Sequence, residues 1–408
     1  MPGVYSAREP WAVAVYMVSD GPRGDKDLDK AAVGAVEDMK KAVRAAADRG
    51  IDVRVAVQMD AKTRKGSLRV LIQKGDESLE PVSLEADPIA VTTTKGRELN
   101  SGNPKSLHSF VHWFRDSSPN RRYIVHLWGH SDGTQGLFTD DGRFTSHPDT
   151  LTLPELRRAF QCAHECCGGP LDLVLFKNCW MSTLETAYQL EGLARYMVAS
   201  PGLVVPFREW PYNEMFTALV PTHSSERVAT DLFNTLSEFY KLAANRSNSP
   251  GERPALDEVP LSLLKLETLK PHVEPALKRL VAAFDSERHG KELRAAAERA
   301  SRGDPALVDV ILLCEELLDS PHESVRDVAR HLRDAIHHHL FVRPRTPRQS
   351  AFGGVSVFRF PKLEDPAFRS SHFASVTDPK DYAKLQIVET GWMPIATEGI
   401  KASEPVVA

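Results

Sequence analysis

Two residues with the chemistry of nucleophilic catalysis each follow an apolar segment of the sequence. His130 comes soon after a segment typical of a buried strand at 122–128, and Cys179 follows another at 171–176. In open α/β sheets the working residues lie beyond the carboxyl ends of parallel strands, because the loops diverge there. A histidine that moves a proton and a cysteine that becomes a thiolate are the groups that thiol-dependent hydrolysis needs.

The separation of these two residues supports the pairing. Cys179 lies 49 residues after His130, close to the spacing of roughly 50 residues between the histidine and cysteine of caspases. Taken singly, a cysteine at a strand end is more often a small buried apolar residue, and a histidine in a glycine-rich loop is commonly a surface residue. Their joint placement is what favours catalysis.

The segments that position these residues alternate between strand and helix patterns. Continuous apolar, β-prone runs predict buried strands, and apolar residues at three-to-four spacing predict helices, one of them with a capping box made by Thr152 and Glu155. Strands are predicted at 11–18, 51–59, 122–128, 171–176 and 196–199, a polar hairpin at 66–87, and helices at 28–47, 104–116, 153–166 and 181–193. This order predicts an α/β fold with a mostly parallel central sheet.

The pattern changes after about residue 215. Helical segments are predicted at 224–246, 259–284, 290–300 and 305–340, followed by one strand-like segment at 352–360. We therefore expect an α/β catalytic-type domain at 1–215 and a mainly helical C-terminal region at 216–408. The strand at 352–360 is a candidate to rejoin the sheet.

Composition and charge exclude several classes of protein. Charged residues make up 26% and hydrophobic residues 42% of the 408 residues, which is typical of a globular protein and excludes disordered and collagen-like chains. The net charge of -4, from 51 basic and 55 acidic residues, indicates neither nucleic acid nor a membrane as the main partner.

The cysteines and the N-terminal residues predict a cytoplasmic protein. Five cysteines are too few and too clustered for a disulfide framework, so at least one is expected to work as a free thiol. The first residues lack the apolar stretch of a secretory signal, and no window approaches the roughly 18 apolar residues of a membrane span.

Several ordered segments are more specific than any single residue. They lie at 11–17, 100–110, 125–133, 151–156 and 177–190, with a weaker element at 206–212. In this order they resemble the motifs of the clostripain-like cysteine peptidases, a branch of the caspase-like clan. The resemblance spans about residues 11–215 and extends faintly to 353–360.

The resemblance implies a caspase-like α/β/α sandwich and a cysteine endopeptidase. It implies Cys179 as the nucleophile and His130 as the general acid and base, with peptide bonds cleaved through an acyl-enzyme. By the same resemblance, the oxyanion hole uses the backbone N–H groups of Cys179 and Ser131. The family usually has glycine where this chain has Ser131.

The chain departs from the family two residues before the nucleophile. The family's acidic residue there helps to select Arg or Lys at P1, whereas this chain has Lys177. A lysine at the pocket floor predicts an acidic P1, because like charges in a desolvated pocket cost several kcal/mol. Alternatively, Asp132 or Glu209 restores a basic preference, or Lys177 points elsewhere. Trp210 is a further candidate for substrate binding.

The resemblance also implies a latent enzyme that is cut during activation. Arg143 in the loop at 140–149, and Arg246 and Arg253 in the linker at 245–254, are equal candidates for the cut. Besides a protein or peptide substrate, an activating protease or regulatory protein is therefore an expected partner. No cofactor is required by the sequence, and calcium is a candidate ion only by analogy with the family.

No metal site is predicted from the residues themselves. The acidic residues at 25–29 begin like a calcium loop, but Lys30 and Val36 stand where an EF-hand needs Gly and Glu. One helix cannot aim all the Cys and His residues at 162–167 at a tetrahedral ion. The histidines at 337–339 are interpreted as a solvated helix end.

The sequence thus predicts an intracellular, latent cysteine endopeptidase. By family analogy alone, a regulated role in stress or defence signalling is a hypothesis. The alternative is a catalytically silent pseudo-protease that keeps the fold, has an unreactive Cys179, and uses its pocket to hold a partner peptide.

Overall fold

The computed structural model describes residues 9–19, 26–61, 66–75, 83–84, 87, 90–93, 96–119, 121–140, 148–204, 210–246, 259–284, 289–342, 352–359 and 379–392. The strands are β1 Trp11–Val18, β2 Val53–Asp60, β3 Leu68–Ile72, β4 Val91–Thr93, β5 Gly96–Glu98, β6 Arg122–Gly129, β7 Leu137–Asp140, β8 Asp149–Leu151, β9 Leu171–Lys177, β10 Ala194–Ala199, β11 Ser262–Lys265, β12 Leu307–Asp309 and β13 Ser356–Phe358. The helices are α1 Lys26–Asp48, α2 Pro104–Ser117, α3 Leu153–Cys167, α4 Leu184–Leu190, α5 Tyr212–Thr217, α6 Ser225–Arg246, α7 Glu274–Phe284, α8 Gly290–Arg299, α9 Val310–Leu318, α10 Glu323–Ala335 and α11 Pro379–Tyr382.

A seven-stranded sheet forms the centre of the fold. Its strand order is β11-β10-β9-β6-β1-β2-β3. The five inner strands pair in parallel, whereas β3 and β11 pair antiparallel at the two edges. Helices cover both faces, so the predicted α/β sandwich with a mostly parallel sheet is confirmed.

The central strands are buried on both faces, as their continuous apolar runs predict. Successive side chains of a strand point to opposite faces, and β1 shows this alternation residue by residue. Ala12, Ala14, Tyr16 and Val18 belong to one core, and Trp11, Val13, Val15 and Met17 belong to the other. The first core is closed by α2, α3, α4 and the helices α7 to α10, and the second by α1, α5 and α6.

Local signals that were read from the sequence set several boundaries. The backbone N–H of Thr152 donates to the Glu155 carboxylate at 3.1 Å, so the predicted capping box begins α3. Gly168, with a left-handed φ of 78°, ends the same helix. Among the described residues, no helix is long and apolar enough to cross a membrane.

Four predicted segments differ from the structure. The helical segment expected at 305–340 begins with β12 and is divided into α9 and α10. The hairpin expected at 66–87 contains β3, which joins the central sheet at its edge. The helix expected at 259–284 begins instead with β11, since a run of four strand residues is too short for periodicity to separate strand from helix. The strand expected at 352–360 is β13, which pairs with β12 in a separate two-stranded sheet and does not rejoin the central one.

The C-terminal region is joined to the α/β part through shared cores. The strand β11 extends the central sheet, and both cores contain residues from each side of residue 215. Residue 215 therefore does not end a self-contained core.

A buried carboxylate fixes the segment before β13. Asp309 accepts hydrogen bonds from the backbone N–H groups of Ile311 and Leu312 at 3.0 and 3.1 Å, which caps α9. It also accepts one from the Gly353 N–H at 2.5 Å. A Cβ at Gly353 would lie 2.4 Å from the Asp309 Oδ1, so only glycine allows this approach. Burial raises the pKa of Asp309 to about 6.

The pKa of Asp309 predicts a pH dependence of folding stability. Because the folded-state pKa of about 6 lies above the ordinary value of 3.8, the stabilising contribution of the protonated form is lost as pH rises through that interval. Relative to the Asp309→Asn variant, the wild type should lose up to about 3 kcal/mol of unfolding free energy between pH 4 and about pH 7. Urea unfolding at a series of pH values measures this difference.

The matched control is Asp48→Asn, because Asp48 is an exposed carboxylate at the end of α1. Its unfolding free energy should follow the wild type at every pH. Parallel curves for the wild type and Asp309→Asn would contradict the raised pKa.

Candidate active site

The register of two central strands places His130 and Cys179 at neighbouring strand ends. Trp128 of β6 pairs with Lys177 of β9, and each candidate residue lies two positions beyond this pair. The Ser131 hydroxyl donates to the carbonyl oxygen of Cys179 at 2.5 Å, which links the two loops directly. The parallel sheet therefore brings the thiol and the imidazole segments to one edge.

A buried amide holds these loops together. The Asn178 Nδ2 donates to the carbonyl oxygen of Gly129 at 2.9 Å and to that of His130 at 3.4 Å. Asn178 is fully buried. Sequence reasoning missed this residue. An asparagine directly before the cysteine was a signal for a side-chain hydrogen bond between the two strand ends.

A sharp turn follows the cysteine. Trp180 adopts a φ of 59°, which is strained for a bulky side chain. Its N–H donates to the Gly202 carbonyl at 2.9 Å, and its indole packs edge-to-face with Phe352 at a centroid distance of 6.1 Å. At Gly303, an added Cβ would lie 2.2 Å from the same indole. Packing from distant parts of the chain thus holds the turn.

The loop after a third parallel strand reaches the thiol. Beyond β10, the backbone N–H of Val204 donates to the Cys179 Sγ at 3.3 Å, and the Sγ lies 3.6 Å from the Val204 carbonyl oxygen. The carbonyl accepts from a neutral thiol, whereas the N–H stabilises a thiolate. The preceding residue, Leu203, is 64% exposed, which is unusual for a large apolar side chain beside a buried strand end.

The thiols of Cys162, Cys179 and Cys314 have different environments. Cys179 is partly buried, Cys162 is exposed on α3, and Cys314 is fully buried. Burial raises the pKa of Cys314 and keeps this thiol protonated. Of these three cysteines, Cys179 combines partial access with a strand-end position, as a reactive thiol requires.

Lys177 lies inside the protein rather than on an open pocket floor. It is 1% exposed, and its Nζ lies 5.0 Å from the ring centre of Trp128 and 5.8 Å from that of Trp210. The ring of His126 stacks on Trp210 at 4.5 Å. Burial and, to a smaller extent, the Lys177 charge lower the pKa of His126 well below its ordinary value, so this imidazole stays neutral.

The remaining predicted site residues fall into two groups. Trp210 is buried and donates its Nε1–H to the hydroxyl of Tyr240 at 2.9 Å, and Asp132 begins the short 3-10 turn Gly133–Gln135. Arg246 is the last residue of α6. The other three, Glu209, Arg143 and Arg253, lie outside the described residues, so their roles stay predictions.

The backbone of Ser131 is oriented in the way that an oxyanion donor needs. Ser131 faces Leu137 in an antiparallel bridge. The flanking hydrogen bonds run from Phe138 N–H to the His130 carbonyl at 3.1 Å and from Asp132 N–H to the Gly136 carbonyl at 2.9 Å. This pattern directs the N–H of Ser131 away from the bridge.

The described residues do not fit a calcium loop at the start of the chain. The helix α1 already begins at Lys26, so Asp27 and Asp29 lie on a helix and not in a ligand loop. The Asp29 carboxylate accepts a hydrogen bond from the Ser19 hydroxyl at 2.5 Å. The histidines at 337–339 lie in the π-helical turn Ile336–Leu340, where His339 stacks on His272.

The model of the Clostripain family matches residues 15–301, which is more than half of the chain. The chain belongs to the clostripain family. It is a clostripain-like cysteine peptidase, as the motifs of the sequence predict. A search of curated protein sequences finds no significant match.

Solved structures of C11 cysteine proteases share the fold over almost the whole chain. A secreted protease of Bacteroides thetaiotaomicron, solved with an irreversible peptide inhibitor, is 17% identical with a TM-score of 0.64, covering 94% of this chain and 99% of its own. An inactive zymogen from Parabacteroides distasonis is 14% identical with a TM-score of 0.60, covering 94% and 98%. At these identities the comparison shows the fold alone.

The prediction of a cytoplasmic location was wrong. The protease from Bacteroides thetaiotaomicron, which this clostripain-family chain matches over 94% of its length, is a secreted protein. The absence of an apolar stretch in the first residues was therefore an insufficient reason to place the chain inside the cell.

The packing around Trp180 predicts how a distant glycine affects the thiol. In Gly303→Ala, the new methyl would overlap the Trp180 indole and shift the turn that carries Cys179. We expect peptide hydrolysis to fall by about 100-fold, because a displacement of roughly 1 Å misaligns the proposed nucleophile with the bound substrate. Iodoacetamide needs no such alignment, so the alkylation rate of Cys179 reports separately how far access to the thiol changes. Mass spectrometry of the alkylated residue measures the reaction at this cysteine.

Gly50→Ala is the matched control, because Gly50 has nearly the same φ, 76° against 74°, with nothing within 4 Å of an added Cβ. Both variants should lose about 1 kcal/mol of stability through backbone strain. Equal rates of peptide hydrolysis in the two variants would show that Gly303 does not position the thiol.

Proposed function

We propose that Cys179 and His130 form the catalytic dyad of this cysteine peptidase. The observation that carries the proposal is the β6–β9 register, which sets the two residues at equivalent positions beyond the paired Trp128 and Lys177. The partial burial of Cys179 supports it, since the thiol is accessible while its loop is held by buried contacts.

The mechanism follows from the roles of these groups. The Cys179 thiolate attacks the carbonyl carbon of the substrate, and the C–N bond breaks as the leaving amine takes a proton from His130. Water then attacks the acyl-enzyme while His130 accepts a proton from that water. The C–S bond breaks, which releases the carboxylic acid and restores the Cys179 thiolate beside a protonated His130. The Val204 N–H stabilises the thiolate before attack.

Two backbone donors are proposed for the oxyanion hole. A tetrahedral intermediate carries its negative charge on the former carbonyl oxygen, and preorganised N–H groups stabilise that charge. The orientation of the Ser131 N–H away from its bridge supports its assignment. The N–H of Cys179 is the second proposed donor.

We also propose that the charge of Lys177 disfavours a basic P1 residue. Lys177 is buried between aromatic rings behind the strand end that carries Cys179. A positive charge in this low-dielectric region repels a second cation more strongly than it would in water. An acidic P1 is therefore favoured, and Asp132 and Glu209 remain the candidates that would reverse the preference.

Latency is a further part of the proposal. The zymogen state of the protease from Parabacteroides distasonis, which shares this fold, supports an inactive precursor that a protease or regulatory protein activates. Cleavage after Arg143, Arg246 or Arg253 is the proposed event. A role in stress or defence signalling is a proposal by family analogy alone, and the cytoplasmic location that it fitted was wrong.

The dyad predicts a matched loss of activity. Cys179→Ala and His130→Ala should each lower hydrolysis of a fluorogenic peptide library at least about 1000-fold, because each removes one member of a unit that acts together. Assays are run before and after limited proteolysis, with and without calcium. Cys162→Ala and His112→Ala, two surface substitutions, should keep wild-type rates.

An unreactive Cys179 in thiol labelling, together with a silent wild type after proteolysis, would instead support the pseudo-protease. Activity that survives in Cys179→Ala would place the nucleophile elsewhere. Loss of activity in Cys162→Ala would contradict the choice of thiol.

The charge of Lys177 predicts a change of specificity. Lys177→Met keeps the length and apolar stem of the side chain but removes the charge, so kcat/KM for acidic P1 residues should fall about tenfold relative to neutral P1 residues. A P1-diverse library measures this ratio in both proteins, and thermal unfolding checks that the variant is folded.

Lys270→Met removes an exposed lysine that pairs with Glu191 and should leave the P1 ratio unchanged. A wild type that prefers basic P1 residues, or a ratio that is the same with and without Lys177, would refute the proposed role of this charge.

A further inference from the structure

A second group of chemically active side chains lies among the C-terminal helices. His289 precedes α8, Glu292 lies in the first turn of that helix, and His322 precedes α10. One ligand atom of each residue lies within 4.8 Å of those of the other two. These residues are separate in sequence from every element that carries the proposed dyad, so the peptidase reaction does not account for them.

The burial of His289 indicates that the group is incomplete without a ligand. Its exposed fraction is 9%, and its Nδ1 is buried without a hydrogen-bond partner in the described part of the chain. A buried polar atom that lacks a partner costs about 1–3 kcal/mol. A ligand that accepts the lone pair of this nitrogen would remove the penalty.

The arrangement of the two imidazoles suits a shared ion. The rings of His289 and His322 lie with their centres 4.6 Å apart at an angle of 54°, neither stacked face to face nor separated by another side chain. Glu292 follows His289 by three residues, and i,i+3 residues of a helix lie on one face. Two nitrogens and one carboxylate oxygen therefore lie together, each within 4.8 Å of the others.

We propose that His289, Glu292 and His322 bind a zinc ion or a similar divalent transition-metal ion. Imidazole and carboxylate ligands suit Zn²⁺, whereas Ca²⁺ requires an all-oxygen ligand set. Tetrahedral ligands at about 2.0–2.1 Å from zinc lie roughly 3.3 Å from one another. From separations of up to 4.8 Å, the ligand atoms must therefore approach one another by up to about 1.5 Å, and water completes the coordination.

The ion would join the beginnings of α8 and α10. These two helix starts are 33 residues apart along the chain, counted from His289 to His322, and their positive dipole ends oppose a cation. The Glu292 carboxylate offsets part of this opposition. We therefore expect affinity in the micromolar range, below that of structural zinc sites with four protein ligands, and a mainly stabilising role.

Equilibrium dialysis with zinc tests the site directly. The untagged full-length chain carrying Cys179→Ala, which removes the partly exposed thiol as a competing ligand, is stripped with a chelator and titrated with Zn²⁺. We expect about one zinc ion per chain. His289→Ala and His322→Ala should abolish this binding, and Glu292→Gln, which keeps the size of the side chain, should weaken it about tenfold or more.

The matched control is the double variant His272→Ala/His339→Ala, because these two histidines form a stacked pair elsewhere in the C-terminal helices. It should bind zinc like the parent. All variants should show the circular dichroism of the metal-free parent, and zinc should raise the melting temperature only where binding is retained.

Cobalt substitution distinguishes this site from cysteine ligation at 162–167. Co²⁺ bound by nitrogen and oxygen shows weak visible bands, whereas thiolate ligands add an intense charge-transfer band in the near ultraviolet. We expect the former spectrum. The proposal is overturned by a thiolate band, by an absence of zinc binding in the parent, or by binding that persists in both His289→Ala and His322→Ala.

Discussion

Parallel pairing of β6 with β9 is the constraint on which the candidate active site depends. Both strands are buried along their whole length, so their backbone groups have no solvent to bind and must pair with each other. A slip of one residue would exchange the two faces of a strand and move each of its side chains into the opposite core, where the packing does not match. The same cores that stabilise the sheet therefore fix the relative positions of His130 and Cys179.

Residues of the C-terminal half pack against the segment that follows Cys179. Asp309 holds Gly353, and the neighbouring Phe352 packs on the Trp180 indole that directly follows the thiol. On the helix after this turn, Glu185 accepts hydrogen bonds from the Phe358 N–H at 2.8 Å and from the Tyr382 hydroxyl at 2.7 Å. Burial raises the pKa of Glu185, and these donors oppose that rise. The α/β part and the helical part thus form one support for the turn.

The sequence predicted the elements whose local signals agree with their environment. The strands β1, β6 and β9 gave continuous apolar runs because both of their faces are buried, and α3 carried its own capping box. The short β11 did not stand out, since its stability comes from pairing with β10 rather than from its own pattern.

The parts of the site that were missed depend on contacts between distant segments. Val204 donates a hydrogen bond to the thiol through its backbone N–H, so its residue type gives no signal of this contact in the sequence. Gly303 matters because it meets Trp180, which is more than a hundred residues earlier in the chain. His289 and His322 are each unremarkable singly, and folding alone brings their rings together. Sequence spacing can suggest strand ends, but it cannot show which loops meet there.

The burial of Lys177 changes how the sequence departure should be understood. An ammonium surrounded by Trp128 and Trp210 is poorly hydrated, and it favours negative charge in its vicinity. Burial and, to a smaller extent, this charge lower the pKa of His126, so this imidazole adds no second positive charge beside Lys177.

The hydroxyl of Tyr240, which accepts from the Trp210 indole, connects this buried group with the thiol. Its pKa is raised mainly by burial and, to a smaller extent, by the nearby Cys179, so it remains a neutral donor when the thiol ionises. Tyr240 therefore adds no negative charge that would oppose a thiolate at Cys179 in the proposed dyad.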